Sequence, residues 1–365
     1  MRSGGSAAEA ATKATMVLED AGETNAGYGS NLTESGTVEM DAGLMDGSSL
    51  LFGSVGAVSG VKNPILVAQK LVEEQGKGLL PLGRVPPGFL VGEGATEWAV
   101  RHNIQTIHTE NLISDKAAKL YKHYKKKLDA YKMSVQIASA KRKREANRMS
   151  GNGACLTNIE NCKRLKQETD YLDVNDQVRS NDGATSSKLL DGNTTLSSGD
   201  GTHDVGDRLS YPGDKDDAED DVVDDKVQDT VGVVVLDRSG QVASTVSSGG
   251  IALKQPGRVG QASCFGCGCW AQRPIEAENS TAVSTTGELT TLGVTMSHDN
   301  IAGCGEHLVR TFLAKECGKA LATSSRDLAL QNLQRVMKEK FAESVFLTGV
   351  PEKLGGAICL QVDID

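Results

Sequence analysis

With 365 residues, 38% of them hydrophobic and only 4% aromatic, the chain has room for two domains, or for one domain carrying a long solvated insert. A formal net charge of −9 argues against general nucleic-acid binding, and no apolar run approaches the roughly 18 residues that cross a bilayer, so no membrane partner is expected. The opening residues lack the basic and apolar regions of a secretory signal, and eight scattered cysteines suggest no disulfide framework, which favours a reducing compartment.

Four zones follow one another. Residues 1 to about 105 are Gly/Ala/Val-rich and compact. "SAAEAATKATMVLEDAG" predicts a helix with Ser6 as N-cap, and "NPILVAQKLVEEQGKG" a second one opened by Pro64 and stopped near Gly76. The Gly-punctuated stretch 25–47, "NAGYGSNLTESGTVEMDAGLMDG", reads as loop rather than core strand. Within residues 106–148, Lys116 to Arg148 carries twelve Lys/Arg against two acids, with Leu120, Tyr124, Leu128, Tyr131 and Val135 at helical spacing. It predicts a basic amphipathic helix, whose terminal cluster Lys141-Arg142-Lys143-Arg144 is either a solvated face or a nuclear-import signal. Residues 149–229 are Asn/Asp/Gly/Ser/Thr-rich, with eleven acids against three bases between Asp204 and Asp229, and read as a disordered linker. From Thr230 to Asp365 the chain is compact again. "TVGVVVLD" and "VASTVSS" predict strands joined by the turn "DRSG", and "STAVSTT" a third strand. Helices around "EHLVRTFLAKECGKALA" and "SRDLALQNLQRVMKEKF" and a last strand, "LGGAICLQVDI", complete a layered α/β pattern.

The abrupt boundary at "QDTVGVVVLD" is the chemical clue. If the Asp229–Thr230 bond breaks, Thr230 gains an α-amine with a pKa near 8, able to take the hydroxyl's proton at neutral pH. Nucleophile and base then sit in one residue, and none of the six histidines needs to pair with a Ser or Cys. "CFGCGC", Cys264 to Cys269, offers no fourth ligand nearby for a closed zinc site, so neither metal nor cofactor is expected.

The motifs "TNAGYGSNL", "MDG", "FGSVGAVSGVKNP", "GRVPPGFLVGEGA", "DTVGVVVLD", "VSSGG", "KQPGRVGQ", "FGCGCW" and "CGEHLVRT" occur in one order along the chain. In this the sequence resembles the Thr-type N-terminal-nucleophile hydrolases of the plant-type asparaginase family, and within it the threonine aspartases (taspases). The resemblance implies an αββα sandwich with a long disordered, partly helical insert. It implies a proenzyme that cuts itself before Thr230 into an α-subunit, 1–229, and a β-subunit, 230–365, paired as a dimer of heterodimers. It further implies Thr230 as nucleophile, Ser248 as the hydroxyl that polarises it, Asn25 as oxyanion donor, Arg258 as binder of the substrate carboxylate, and Thr286 and Gly287 as the remaining wall.

Small-molecule members typically carry Asp three residues after that Arg, to hold the substrate's ammonium. Gln261 stands there instead, and a neutral amide cannot repay the desolvation of an ammonium. The expectation is therefore a nuclear and cytoplasmic endopeptidase that cuts protein substrates, transcription regulators among them, after aspartate. An import receptor would be a further partner. A small-molecule asparaginase or isoaspartyl aminopeptidase is the alternative, and an inactive homologue acting only by binding a third. Relative to the family pattern the chain reads as truncated at both ends. It also carries sixteen extra residues, "ELTTLGVTMSHDNIAG", between Gly287 and Cys304, so that Gly287 and Gly303 compete for the wall position. Gly-Glu-Leu and Ile-Ala-Gly codons can carry splice-donor-like and acceptor-like strings, and the segment reads as a retained in-frame intron.

Overall fold

The computed structural model describes residues 5–150, 229–273, 289–297, 305–322, 324, 326–350 and 353–364. They divide into two units: residues 1–131 with 222–365, and residues 132–221, of which the described part is a helical stretch ending at residue 150.

In the larger unit the first helix, α1 (Ala7–Asp20), starts where the sequence says it should. Ser6 Oγ accepts the Glu9 N–H at 3.2 Å and Glu9 returns a carboxylate to the Ser6 N–H at 3.1 Å, a closed capping box. Its small face is pressed onto a sheet: Ala7 and Ala11 cluster with Ala243, and Thr15 Oγ1 lies 2.7 Å from Thr245 Oγ1. Helix α2 (Pro64–Gly76) covers the neighbouring strands with Ile65, Ala68 and Leu71.

That sheet has five strands in the order β3-β2-β1-β5-β4, built from β1 (Met40–Asp46), β2 (Phe52–Val58), β3 (Phe89–Val91), β4 (Val231–Leu236) and β5 (Val242–Ser248). Strand β1 corrects the loop expected over 25–47: Met40 to Met45 are buried, and β1 is the middle strand of the sheet. Its glycine is a packing residue. A Cβ on Gly43 would stand 2.5 Å from the Ala262 carbonyl oxygen, so glycine there lets the loop after β5 lie flat on the strand.

The second sheet, β6 (Cys269–Gln272), β7 (Leu289–Ser297) and β8 (Gly356–Ile364), packs on the other face of the first. One buried cluster takes in Met45, Val242 and Val246 of the first sheet, Trp270 of the second, and Leu313 and Cys317 of the helix beyond it. The helices α5 (Gly305–Thr311), α6 (Leu313–Ala322) and α7 (Ala329–Val336) follow, and α6 covers the outer face of the second sheet, giving the four-layer αββα arrangement. One reading changes here. The single helix expected over "EHLVRTFLAKECGKALA" is broken at Phe312, which takes φ +48° and separates α5 from α6. Of the sixteen extra residues, 289–297 form β7, the middle strand of its sheet, paired with β8 from Leu289↔Ile364 to Ser297↔Gly356; the others lie outside the described residues. The strand expected over "STAVSTT" and the linker 149–229 lie almost entirely outside the described residues.

Helix α4 (Asp115–Ser150) is the basic helix, preceded by α3 (Gly92–Arg101). Its first turns are anchored by buried Ala117 and by the Tyr121 hydroxyl donating to the Glu34 carbonyl at 3.3 Å. From Asp129 to Ala146 every residue is exposed, Tyr131 and Val135 included, so the predicted apolar stripe outruns what it packs on.

Candidate active site

The β4–β5 hairpin sets the geometry. Asp237 closes its turn by accepting the Ser239 and Gln241 N–H groups at 2.9 and 3.0 Å, and the register pairs Val231 with Ser247. One step further along, Thr230 and Ser248 face each other, with Thr230 Oγ1 2.9 Å from Ser248 Oγ and both residues buried. The Gly250 N–H donates into Ser248 Oγ at 3.1 Å, and between the two hydroxyls either oxygen can be the donor.

The bond before Thr230 is equally constrained. The Asp229 carbonyl oxygen accepts the Asn25 main-chain N–H at 3.0 Å, and the Thr230 N–H donates to Asp229 Oδ1 at 2.7 Å. Asn25 therefore reaches this carbonyl through its backbone N–H. Its side-chain amide braces the loop: Nδ2 donates to the Gly250 carbonyl at 2.8 Å and Oδ1 accepts the Asn31 N–H at 2.9 Å. The Asn25 carbonyl in turn accepts the Gly249 N–H at 2.8 Å. "SSGG" needs its glycines for this contact. A Cβ on Gly249 would stand 2.5 Å from Asn25 Oδ1 and 2.6 Å from Ser30 Cβ, and Gly250 has φ +76°.

Arg258 lies on the loop between β5 and β6. Its Nε and Nη2 both donate to Glu306 Oε1 at the start of α5, the former at 2.7 Å. Glu306 thus holds one edge of the guanidinium through two N–H groups on a single carboxylate oxygen. Glu306 stands inside the motif "CGEHLVRT", which is the sequence signal for it. Gln261 is buried in a short 3-10 turn, Gln261–Ser263, three residues beyond Arg258. Thr286, Gly287 and Gly303 lie outside the described residues.

Three buried charged groups that the sequence reading did not single out surround the site. Glu19 is fully buried at the end of α1, accepting the Ser247 hydroxyl at 2.7 Å and the Ile65 N–H at 3.2 Å. Burial pushes its carboxyl up to about 8 against the opposing pull of Ser247 and Asn63. Asp41, on β1 opposite Ser248, is raised by burial and held down in part by the Lys254 ammonium, which is itself 2% exposed. For Asp41 and Lys254 the signal was a charged residue inside a stretch otherwise apolar or glycine-rich, "EMDAGLMDG" and "IALKQPG". The thiols of Cys267 and Cys269 are pushed up to about 12 by burial, and among the described residues no group of His, Cys, Asp and Glu is placed to hold a metal.

Residues 1–292 match the family described as Asparaginase. Among curated proteins, the chain is similar to the isoaspartyl peptidase/L-asparaginase of Macaca fascicularis, 30% identical over 287 residues, covering 79% of this chain and 59% of the relative. It is 28% identical to the Bos taurus protein of the same name over the same shares. A shorter stretch of 124 residues is 41% identical to the plant-type L-asparaginase of Pyrococcus horikoshii, covering 34% of this chain and 36% of that one. The chain spans about 59% of the length of the first two relatives it matches.

Proposed function

The chain belongs to the asparaginase family, and on that premise we propose that it is a threonine endopeptidase that first cuts itself between Asp229 and Thr230 and then cuts protein substrates after aspartate. The observation that carries the reading is the meeting of three groups at one bond. They are the buried Thr230–Ser248 hydroxyl pair, the Asp229 carbonyl oxygen held by the Asn25 N–H, and the Thr230 nitrogen held by the Asp229 carboxylate.

In the first step Thr230 Oγ1 adds to the Asp229 carbonyl carbon. The negative charge that develops on oxygen falls where the Asn25 N–H already points, an arrangement worth a few kcal/mol in acyl transfer. The carbon–nitrogen bond breaks, the hydroxyl's proton ends on the departing nitrogen, and Asp229 is left as an ester on Thr230. Water then hydrolyses the ester, giving an Asp229 carboxylate and a free Thr230 amine beside a restored hydroxyl. In later turnovers that amine takes the hydroxyl proton as Thr230 attacks a substrate's aspartyl α-carbonyl, with Ser248 supporting the developing alkoxide.

Arg258 supports an acidic side chain on the substrate, and Gln261 supports a residue within a chain, since its amide suits a peptide group better than an ammonium. The second reading, hydrolysis of isoaspartyl dipeptides or asparagine, is favoured by the similarity to proteins named isoaspartyl peptidase/L-asparaginase. Incubating the purified protein with an internal-Asp peptide and with isoaspartyl dipeptides separates the two. Cleavage after Asp, lost in Thr230→Val, supports the endopeptidase; turnover of the dipeptides alone transfers the protein to the second reading; turnover of neither supports the inactive homologue. The exposed cluster Lys141–Arg144 on α4 supports recognition by an import receptor and a nuclear as well as cytoplasmic location. A fluorescent fusion excluded from nuclei would remove that part.

A further inference from the structure

We propose that Asp41, backed by Lys254, is the positioning residue that fixes the loop carrying Arg258 and Gln261 relative to the Thr230–Ser248 pair, and thereby sets the affinity for an acidic substrate. The inference rests on the proposed reading of the site and adds a residue to it.

The carboxylate has two destinations, and each is backbone. Asp41 Oδ1 accepts the Ala57 N–H at 2.8 Å, and Oδ2 accepts the Gly260 N–H at 2.7 Å. Gly260 stands between Arg258 and Gln261 and belongs to no strand, so its N–H has no ladder partner and depends on this oxygen. The approach is close: a Cβ on Gly260 would lie 3.1 Å from Asp41 Oδ2. On its own strand Asp41 pairs in register with Ser248. One buried side chain therefore spans from the strand pairing that carries the serine hydroxyl to the loop that carries the guanidinium.

Lys254 extends the same connection. Its Nζ donates to the Glu39 carbonyl at 2.9 Å, at the entry to β1, and its charge favours the ionised form of Asp41. The end of its side chain lies under Gly250, where a Cβ would meet Lys254 Cδ at 3.0 Å and Nζ at 3.3 Å. Gly250 is the residue whose N–H donates to Ser248 and whose carbonyl receives the Asn25 and Asn31 amides. Burying two opposite charges is a poor way to gain stability, because an apolar pair of similar volume often serves as well or better. What an apolar pair cannot do is accept two backbone N–H groups from separate segments. A two-pronged Arg clamp loses its value when its loop drifts by more than about 0.5 Å, which gives the carboxylate its purpose here.

The direct test is Asp41→Asn in the self-cut protein, assayed on an internal-Asp peptide. An asparagine satisfies one of the two N–H groups and turns its own N–H₂ against the other. The expected result is a KM raised about tenfold or more with kcat nearly unchanged, and no further rise when Asp41→Asn is added to Arg258→Ala. A loss confined to kcat, or effects that simply multiply with those of Arg258→Ala, would overturn the proposal. Amide hydrogen exchange on the unmodified protein decides the matter even where Asp41→Asn does not fold. Protection of the Gly260 amide to the level of β1 supports the proposal, and exchange at the rate of an exposed loop overturns it. Gel analysis of the same sample reports self-cleavage separately, so an uncut Asp229–Thr230 bond would count against the proposed function and not against this positioning role.

Discussion

Thr230 and the groups touching it make sharply different predictions from one another. Thr230→Val keeps the shape and removes the hydroxyl, so the chain should stay whole on a denaturing gel however long it is incubated. Ser248→Ala should slow peptide hydrolysis by about 10²-fold, the lower range for a group that manages the nucleophile's proton. Arg258→Ala should act on KM by about 2 kcal/mol or more, as expected when one partner of a charged contact is truncated. Glu306→Ala should raise KM by less, because that pair is 31% and 42% exposed and a solvated pair contributes little by itself. Glu19 predicts a pH effect on stability. Its folded pKa of about 8 stands above the ordinary 4.5, so the folded chain holds the proton more tightly than the unfolded one. The contribution is fully present below about 4.5 and is lost as pH rises through about 8. Melting temperatures from pH 5 to 8.5 should fall in the native protein and fall less in Glu19→Gln; parallel curves would show that Glu19 is not the group responsible. Several of these residues were legible from sequence because their motifs name them. Asn25 was legible only as a residue, not as a backbone N–H, since nothing in a side-chain motif tells which of a residue's donors faces the reacting bond.

The elements show where pattern reading succeeds and where it stops. Helix α1 carries its own start signal in Ser6 and Glu9, and Ser6→Ala should cost about 1 kcal/mol in a denaturant titration, with a null effect showing that tertiary packing alone fixes the helix end. The turn at 237–240 and the strands beside it were equally legible, because alternation and Asp/Gly turn chemistry are local. Strand β1 was not. Its glycine, buried Asp41 and two methionines imitate loop composition, and only the approach of the Ala262 carbonyl to Gly43 explains why a core strand is written that way. The break at Phe312 was hidden for a similar reason: a bulky residue at φ +48° is an unlikely helix stop, tolerated where α5 and α6 both pack inward through Leu308 and Leu313. β7 was set aside because it departs from the family's spacing, although its Thr and Val content suits a strand well enough to pair on both edges.

At the scale of the whole molecule, the proposed cut would leave the sheet intact. Strands β1, β2 and β3 precede Asp229 and strands β4 and β5 follow it, and β1 pairs with β5 from Asp41↔Ser248 to Asp46↔Ala243 across that division. Fragments 1–229 and 230–365 should therefore co-elute under native conditions and separate only in denaturant. Fragments that part on a sizing column would contradict this sheet. A layered α/β pattern follows from the predicted strands and helices, and its αββα form from the resemblance, but the order in which the strands join does not, because the central β1–β5 pairing links segments about 200 residues apart.

The central claim is that Thr230 becomes an amino terminus of its own. Mass spectrometry of folded, full-length protein after incubation at neutral pH measures this directly. The account predicts two polypeptides, one ending at Asp229 and one whose first residue is Thr230; a single uncut chain, still showing a cooperative melting transition, would contradict it.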